Sequence, residues 1–189
     1  MRQSLQHLVL ALACSLASHS APAQPQRPDA LAITQTDSSY VLQVPVARLQ
    51  MFLPSTGLRS DPPNVGGATS NPRYYNFSDS SRGLVISGWF EPANRFPGLA
   101  AFWEGEQAAW KRNGLPEPRS VSLKTIGIWQ TIFYDLDLPG VTNRHVRAHA
   151  VQAGTWIDLH ISLTGSGPQT PNREDLISVL EKIVVSEKP

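Results

Sequence analysis

The chain has 189 residues, with 16 Lys and Arg against 15 Asp and Glu, a formal net charge of +1 and a single cysteine. This balance, without any basic run, argues against nucleic acid or an anionic membrane surface as a partner. The size fits one core that needs no staples.

Arg2, the ten-residue run Leu8 to Ala17 and the triplet Ala21-Pro22-Ala23 read as a signal peptide over residues 1–23. The run is too short to span a bilayer, and the small-x-small triplet fits a signal peptidase site. Cys14, in Ala11-Leu12-Ala13-Cys14, partly resembles a lipoprotein box, with Ala11 where Leu is usual. A lipid anchor there is the alternative to a cleaved leader. Cleavage after Ala23 leaves no cysteine, which removes disulfides, thiol nucleophiles and cysteine-bound metals from the mature chain. The expected location is the periplasm or the medium. Residues 24–38, rich in Pro, Gln, Ser and Thr, are expected to be a flexible linker, and 39–189 a single α+β domain.

Tyr40, Leu42 and Val44, then Leu49, Met51 and Leu53, recur at a spacing of two and predict two short strands interrupted near Pro45. Pro54 to Pro72 has turn residues at most positions and reads as a long loop, in which Arg59 and Asp61 are candidate polar contacts for a partner. The runs RYYNFS and GLVISGWFE, separated by Asp79 to Arg82, predict a hairpin. Pro97 to Arg112 carries Leu99, Phe102, Trp103, Glu106 and Trp110 at helical spacing, before the stop signal Asn113-Gly114. Its aromatic stripe is expected to pack on the sheet. Val121 to Leu138 predicts two further strand runs, with a bulge or bend at Gly127. The last helix is expected to start at Thr170 as N-cap, with Leu176, Val179, Leu180 and Ile183 inward.

The most informative stretch is Arg144 to Leu163. Ile157, Leu159 and Ile161 alternate with Asp158, His160 and Ser162, while Val146, Ala148 and Ala150 alternate with His145, Arg147 and His149. Ala153-Gly154 lies between the runs. With those two as the loop, the hairpin pairs Ala150 with Ile157, Ala148 with Leu159 and Val146 with Ile161 on the apolar face. His149 then faces Asp158, Arg147 faces His160 and His145 faces Ser162 on the polar face. His145, Arg147, His149, Asp158 and His160 are therefore the candidate binding residues.

Strands, a long helix, further strands and a terminal helix give an α+β fold, an antiparallel sheet covered by the central and C-terminal helices. The opening YVLQVP, the helix GLAAFWEGEQAAWKR, the hairpin strand GTWIDLHIS and the helix EDLISVLEKIVV make this arrangement resemble the PsbP/DcrB-like family of exported sandwich proteins, over most of residues 40–185. That resemblance implies an adaptor or binding module without shared catalytic residues.

The chemistry points the same way. Two histidines and a carboxylate are a recurring ligand set, so His149, Asp158 and His160 could hold a metal ion, but Arg147 puts a permanent cation beside them. No G-x-S-x-G elbow, phosphate loop or dinucleotide fingerprint is present, and no cofactor is expected. The expected function is a non-enzymatic envelope protein that binds a protein partner or small ligand. The alternative is a metal-dependent or acid/base hydrolase using the His149, Asp158 and His160 patch.

Overall fold

The computed structural model describes residues 30–44, 47–61, 73–167 and 170–188. The expected leader, Cys14, Pro45 and the stretch 62–72 of the long loop lie outside the described residues. The elements are β1 (Ala32–Gln35), β2 (Ser39–Val44), β3 (Leu49–Pro54), β4 (Arg59–Ser60), β5 (Tyr74–Asp79), β6 (Leu84–Pro92), α1 (Leu99–Arg112), β7 (Arg119–Ile126), β8 (Trp129–Leu138), β9 (Val141–Gln152), β10 (Thr155–Gly165), α2 (Arg173–Glu181) and β11 (Val184–Glu187). A short 3-10 turn, Ala93–Arg95, precedes α1.

The fold is α+β, and the strands divide into two antiparallel sheets rather than one. A four-stranded sheet has the order β1-β2-β3-β11, and a seven-stranded sheet the order β4-β5-β6-β10-β9-β8-β7. One apolar cluster joins them: Leu42, Leu49 and Met51 from the first meet Phe77, Ile86 and Leu159 from the second, all at 0–1% exposure. Tyr40 and Phe77 touch across the gap with ring centroids 4.8 Å apart. α2 lies on this same inner face, against β9 and β10, and buries Leu176 and Leu180 in the shared core. α1 lies on the outer face of the large sheet.

The β9–β10 register is the one the alternation demands. Ala150 pairs with Ile157, Ala148 with Leu159, Val146 with Ile161, His149 with Asp158, Arg147 with His160 and His145 with Ser162. Both faces of this hairpin are covered, so β10 is not the half-solvated strand its alternation would fit.

Several boundaries differ from the sequence expectations for physical reasons. The sheet begins at Ala32, inside the expected linker, because β1 pairs along β2 from Ala32–Gln43 to Gln35–Tyr40. Gly127 is the first residue of a two-residue hairpin turn, at φ 55°, not a bulge within one strand. α2 is capped by Asn172, not Thr170: the Asn172 side chain accepts from the Asp175 N–H at 2.9 Å, and Asp175 reciprocates at 2.7 Å. The last helix stops at Glu181, and the β-branched pair Val184-Val185 instead forms an edge strand beside β3.

The β9–β10 turn places Ala153 at φ 48° and Gly154 at φ 70°. Both left-handed positions belong to a type I′ turn, where alanine's Cβ is unfavourable and asparagine is preferred. Ala153→Asn is expected to raise stability by about 0.5–1 kcal/mol, read as a higher midpoint in urea with an unchanged slope.

Candidate functional site

The outer face of the large sheet is organised in three cross-strand rows. Gln130, His149, Asp158 and Trp89 form one; Ile132, Arg147, His160 and Ser87 the next; Tyr134, His145, Ser162 and Val85 the third. The five polar residues singled out from the hairpin are thus brought together.

Their hydrogen bonds run along diagonals, not along the rows. Arg147 donates to Asp158 Oδ2 at 2.8 Å, whereas His149 Nδ1 stays 3.7 Å from Asp158 Oδ1. Although His149 and Asp158 are direct cross-strand neighbours, no hydrogen bond joins them, because His149 Nδ1 already accepts the Trp156 indole N–H at 3.2 Å. That bond places the His149 proton on Nε2. His145 Nδ1 meets His160 Nε2 at 3.0 Å, and the Tyr134 hydroxyl meets the same His160 nitrogen at 3.3 Å. Tyr134 and His145 stack with centroids 4.7 Å apart and planes within 4°.

The segment from Phe96 through α1 roofs this network. Phe96 stacks on His149 at 5.6 Å, and Phe102 meets the same ring edge-on at 4.3 Å. The Arg147 guanidinium lies between the Phe102 ring at 5.0 Å and the Trp89 ring at 5.3 Å, a paired cation–π arrangement. Trp103 and Trp110 pack on Tyr134 at 5.3 and 5.1 Å. His149 and Asp158 are fully buried, His145 and Arg147 nearly so, and His160 is half-buried. His145 Nε2, Arg147 Nε, His149 Nε2 and Asp158 Oδ1 are buried with no hydrogen-bond partner among the described residues.

Burial controls the electrostatics. It lowers His145 to about 4, with Asp135 pulling up and Arg147 pushing down. Burial and then Arg147 lower His149 to about 3. His160 falls well below its ordinary value, through burial, then Arg147 and His145. Burial raises Asp158 to about 7 against the downward pull of Arg147, and Glu106 on α1 adds to the rise. At neutral pH the three imidazoles are therefore uncharged beside one guanidinium.

Arg59 and Asp61 lie elsewhere, on and just after the edge strand β4, where they bond each other at 2.9 Å. Ser78 also donates to Asp61 at 2.5 Å. That hydroxyl and then Arg59 hold the Asp61 carboxyl below its usual range. They flank 62–72 and do not join the histidine face. Among the described residues no group of three His, Asp or Glu side chains is arranged to hold a metal ion. Within the alternative ligand set of His149, Asp158 and His160, Arg147 occupies one oxygen of the carboxylate and His145 engages the His160 imidazole. Ser162, opposite His145, forms no triad, since the Nδ1 of that ring engages His160.

Tyr134, Trp89, Phe96 and Trp156 complete the cluster and were not singled out as site residues. Tyr134 and Trp89 were recoverable only from the order of strands around the hairpin. Two open cavities lie away from this face, beside the β5–β6 turn and α2. They measure about 690 and 610 Å³ and share Ser81, Arg82, Val179 and Lys182.

No protein-family model matches the chain, and no curated protein matches it. A crystallographically solved protein from Bacteroides thetaiotaomicron VPI-5482 is similar over 75% of this chain and 45% of its own, at 11% identity and a TM-score of 0.41. The matched chain is thus spanned over less than half its length.

Two outcomes follow from the buried network. Arg147→Ala leaves Asp158 without its counter-ion and is expected to cost about 3–5 kcal/mol in chemical denaturation. The histidines, lowered on folding, bind protons in the unfolded chain first, so their contribution is complete above about 6.5 and is lost as pH falls. Asp158, raised on folding, acts oppositely: its contribution is complete below about 3.8 and lost as pH rises through about 7. Three groups against one set the sign. The calorimetric midpoint is expected to fall by about 5 °C or more between pH 6.5 and 4.

Proposed function

We propose that the chain is a non-enzymatic binding or adaptor protein of the bacterial envelope, periplasmic or secreted, which recognises a protein partner or small ligand through its exposed surface. The observation that carries this reading is the roof over the histidine face. A substrate would have to displace Phe96 and Phe102 to reach His149, and Asp158 is already held by Arg147. General acid/base work needs a group within hydrogen-bond reach of substrate, which the roof withholds at His149 and Asp158. The hydrolase alternative is correspondingly weaker.

Recognition falls instead to the two cavities that share Arg82 and Lys182 and to the Arg59–Asp61 edge leading into 62–72. Loops on a rigid scaffold are favoured sites for binding. No helix among the described residues is long and apolar enough to cross a membrane. Export through the leader at 1–23, with a Cys14 lipid anchor as its variant, belongs to the same reading. So does kinship with the PsbP/DcrB-like proteins, supported by element order and the covering helices.

Replacing residues 62–72 with a short Gly-Ser linker, leaving β4 intact, is expected to shift the thermal midpoint by less than about 2 °C. Cross-linking of the wild-type chain in envelope preparations is expected to give a defined species that the same variant does not form. A hydrolytic activity of the wild-type chain, lost in a folded His160→Gln variant, would replace binding by catalysis.

A further inference from the structure

Three features single out α1. Its apolar side chains contribute nothing to the core that joins the two sheets; Trp103, with Leu99, Phe102 and Trp110 around it, forms a separate small cluster on Ile132 and Tyr134. Its ends are glycines in left-handed or extended-left conformations, Gly98 at φ 89° and Gly114 at φ 64°, with nothing within 4 Å of where a Cβ would stand. Its N-terminus has no side-chain cap and no acidic residue in the first turn. Such a helix sits at the low end of local stability.

Beneath it, positive charge has little to meet. His145 and His160 touch at 3.0 Å, so protonating both would set two cations in contact beside Arg147. Of the carboxylates facing the cluster, Asp158 is held by Arg147, Asp135 is bonded through both oxygens to Arg144 at 3.0 Å, and Glu106 belongs to α1 itself. Tyr134 remains neutral, its ionisation raised by burial.

We propose that α1 is an acid-released lid: protonation of His145, His149 and His160 lifts Leu99–Arg112 from the sheet while the two-sheet body stays folded, uncovering the aromatic and cationic face of β8, β9 and β10. Opening returns the imidazoles to water, where they take up protons that the closed form refuses. Asp158 releases one proton on the same step, because the closed form holds it up to about 7. The net uptake is about two protons, so the opening constant rises about a hundredfold per pH unit between the solvated and buried values.

Hydrogen exchange of the full chain, read by mass spectrometry and corrected for intrinsic pH dependence, tests this. Between pH 7 and 5, peptides covering 99–112 are expected to lose protection by two to four orders of magnitude, estimated as roughly two protons over two pH units, and to stay less protected at each pH than β9 and β10 peptides, which exchange only by global unfolding. His145→Phe, which preserves the stack on Tyr134, should reduce the slope by about one proton. Equal protection of α1 and β9–β10 at each pH would mean that they open together in global unfolding and would overturn the lid. Protection of α1 that does not change with pH would overturn the proton coupling, and the wild-type comparison decides both even if the variant does not fold.

Discussion

The arrangement of the molecule depends on one topological constraint. β6 and β7 flank the triplet β10-β9-β8, so the chain between Pro92 and Arg119 must cross three strands on one face of the sheet. α1 is that crossing. The face it crosses is fixed by the β9–β10 register, because the apolar set Val146, Ala148, Ala150, Ile157, Leu159 and Ile161 is taken by the core between the sheets. A one-residue slip would exchange the faces. Polar residues are thereby forced beneath a helix.

Sheets covered on both faces usually carry continuous apolar runs. Here the covered outer face carries a guanidinium, a carboxyl group and three imidazoles. Removing charges from water costs several kcal/mol per ion, and a buried pair rarely exceeds an apolar replacement in stability. The aromatic roof reduces this cost in two ways. Phe102 of the roof and Trp89 of the sheet supply ring faces to Arg147, and Trp156 of the sheet, beneath Phe96 and Phe102, gives His149 a donor. Gly88 contributes from the opposite face: a Cβ there would stand 2.0 Å from the Asp158 carbonyl oxygen, which instead accepts the Tyr75 hydroxyl at 3.2 Å. The backbone of Asp158 is thus anchored from the core while its side chain is held by Arg147.

The hairpin was legible in the sequence because strict alternation and a two-residue turn leave one register that buries all the large residues. α1 and the β5–β6 hairpin were legible for similar local reasons. The partition into two sheets was not, since short strands such as Ala32–Gln35 and Arg59–Ser60 carry no periodicity of their own and exist through pairing with β2 and β5. The end of α2 was misplaced because Ile183, Val184 and Val185 continue an apolar pattern that a helix or a strand can use. Within the site, direct neighbours were readable and the diagonal partners were not. Arginine's length lets it reach Asp158 past the residue opposite, and the aromatic roof depends on strand order far from the hairpin.

The two helices bury their apolar residues in different clusters, so their removal has different consequences. Leu176 and Leu180 of α2 are fully buried in the cluster that holds both sheets together, so detaching α2 opens the whole core. Of the α1 residues only Trp103 is buried, and its cluster stops at β8. Cooperative units follow contiguous apolar contact, so the body and α1 are separable in stability although both are packed. Placing the titratable groups under the separable helix and keeping the shared core apolar lets protonation open one element at a lower cost than unfolding the domain. The same residues on the inner face would couple protonation to unfolding of the entire domain.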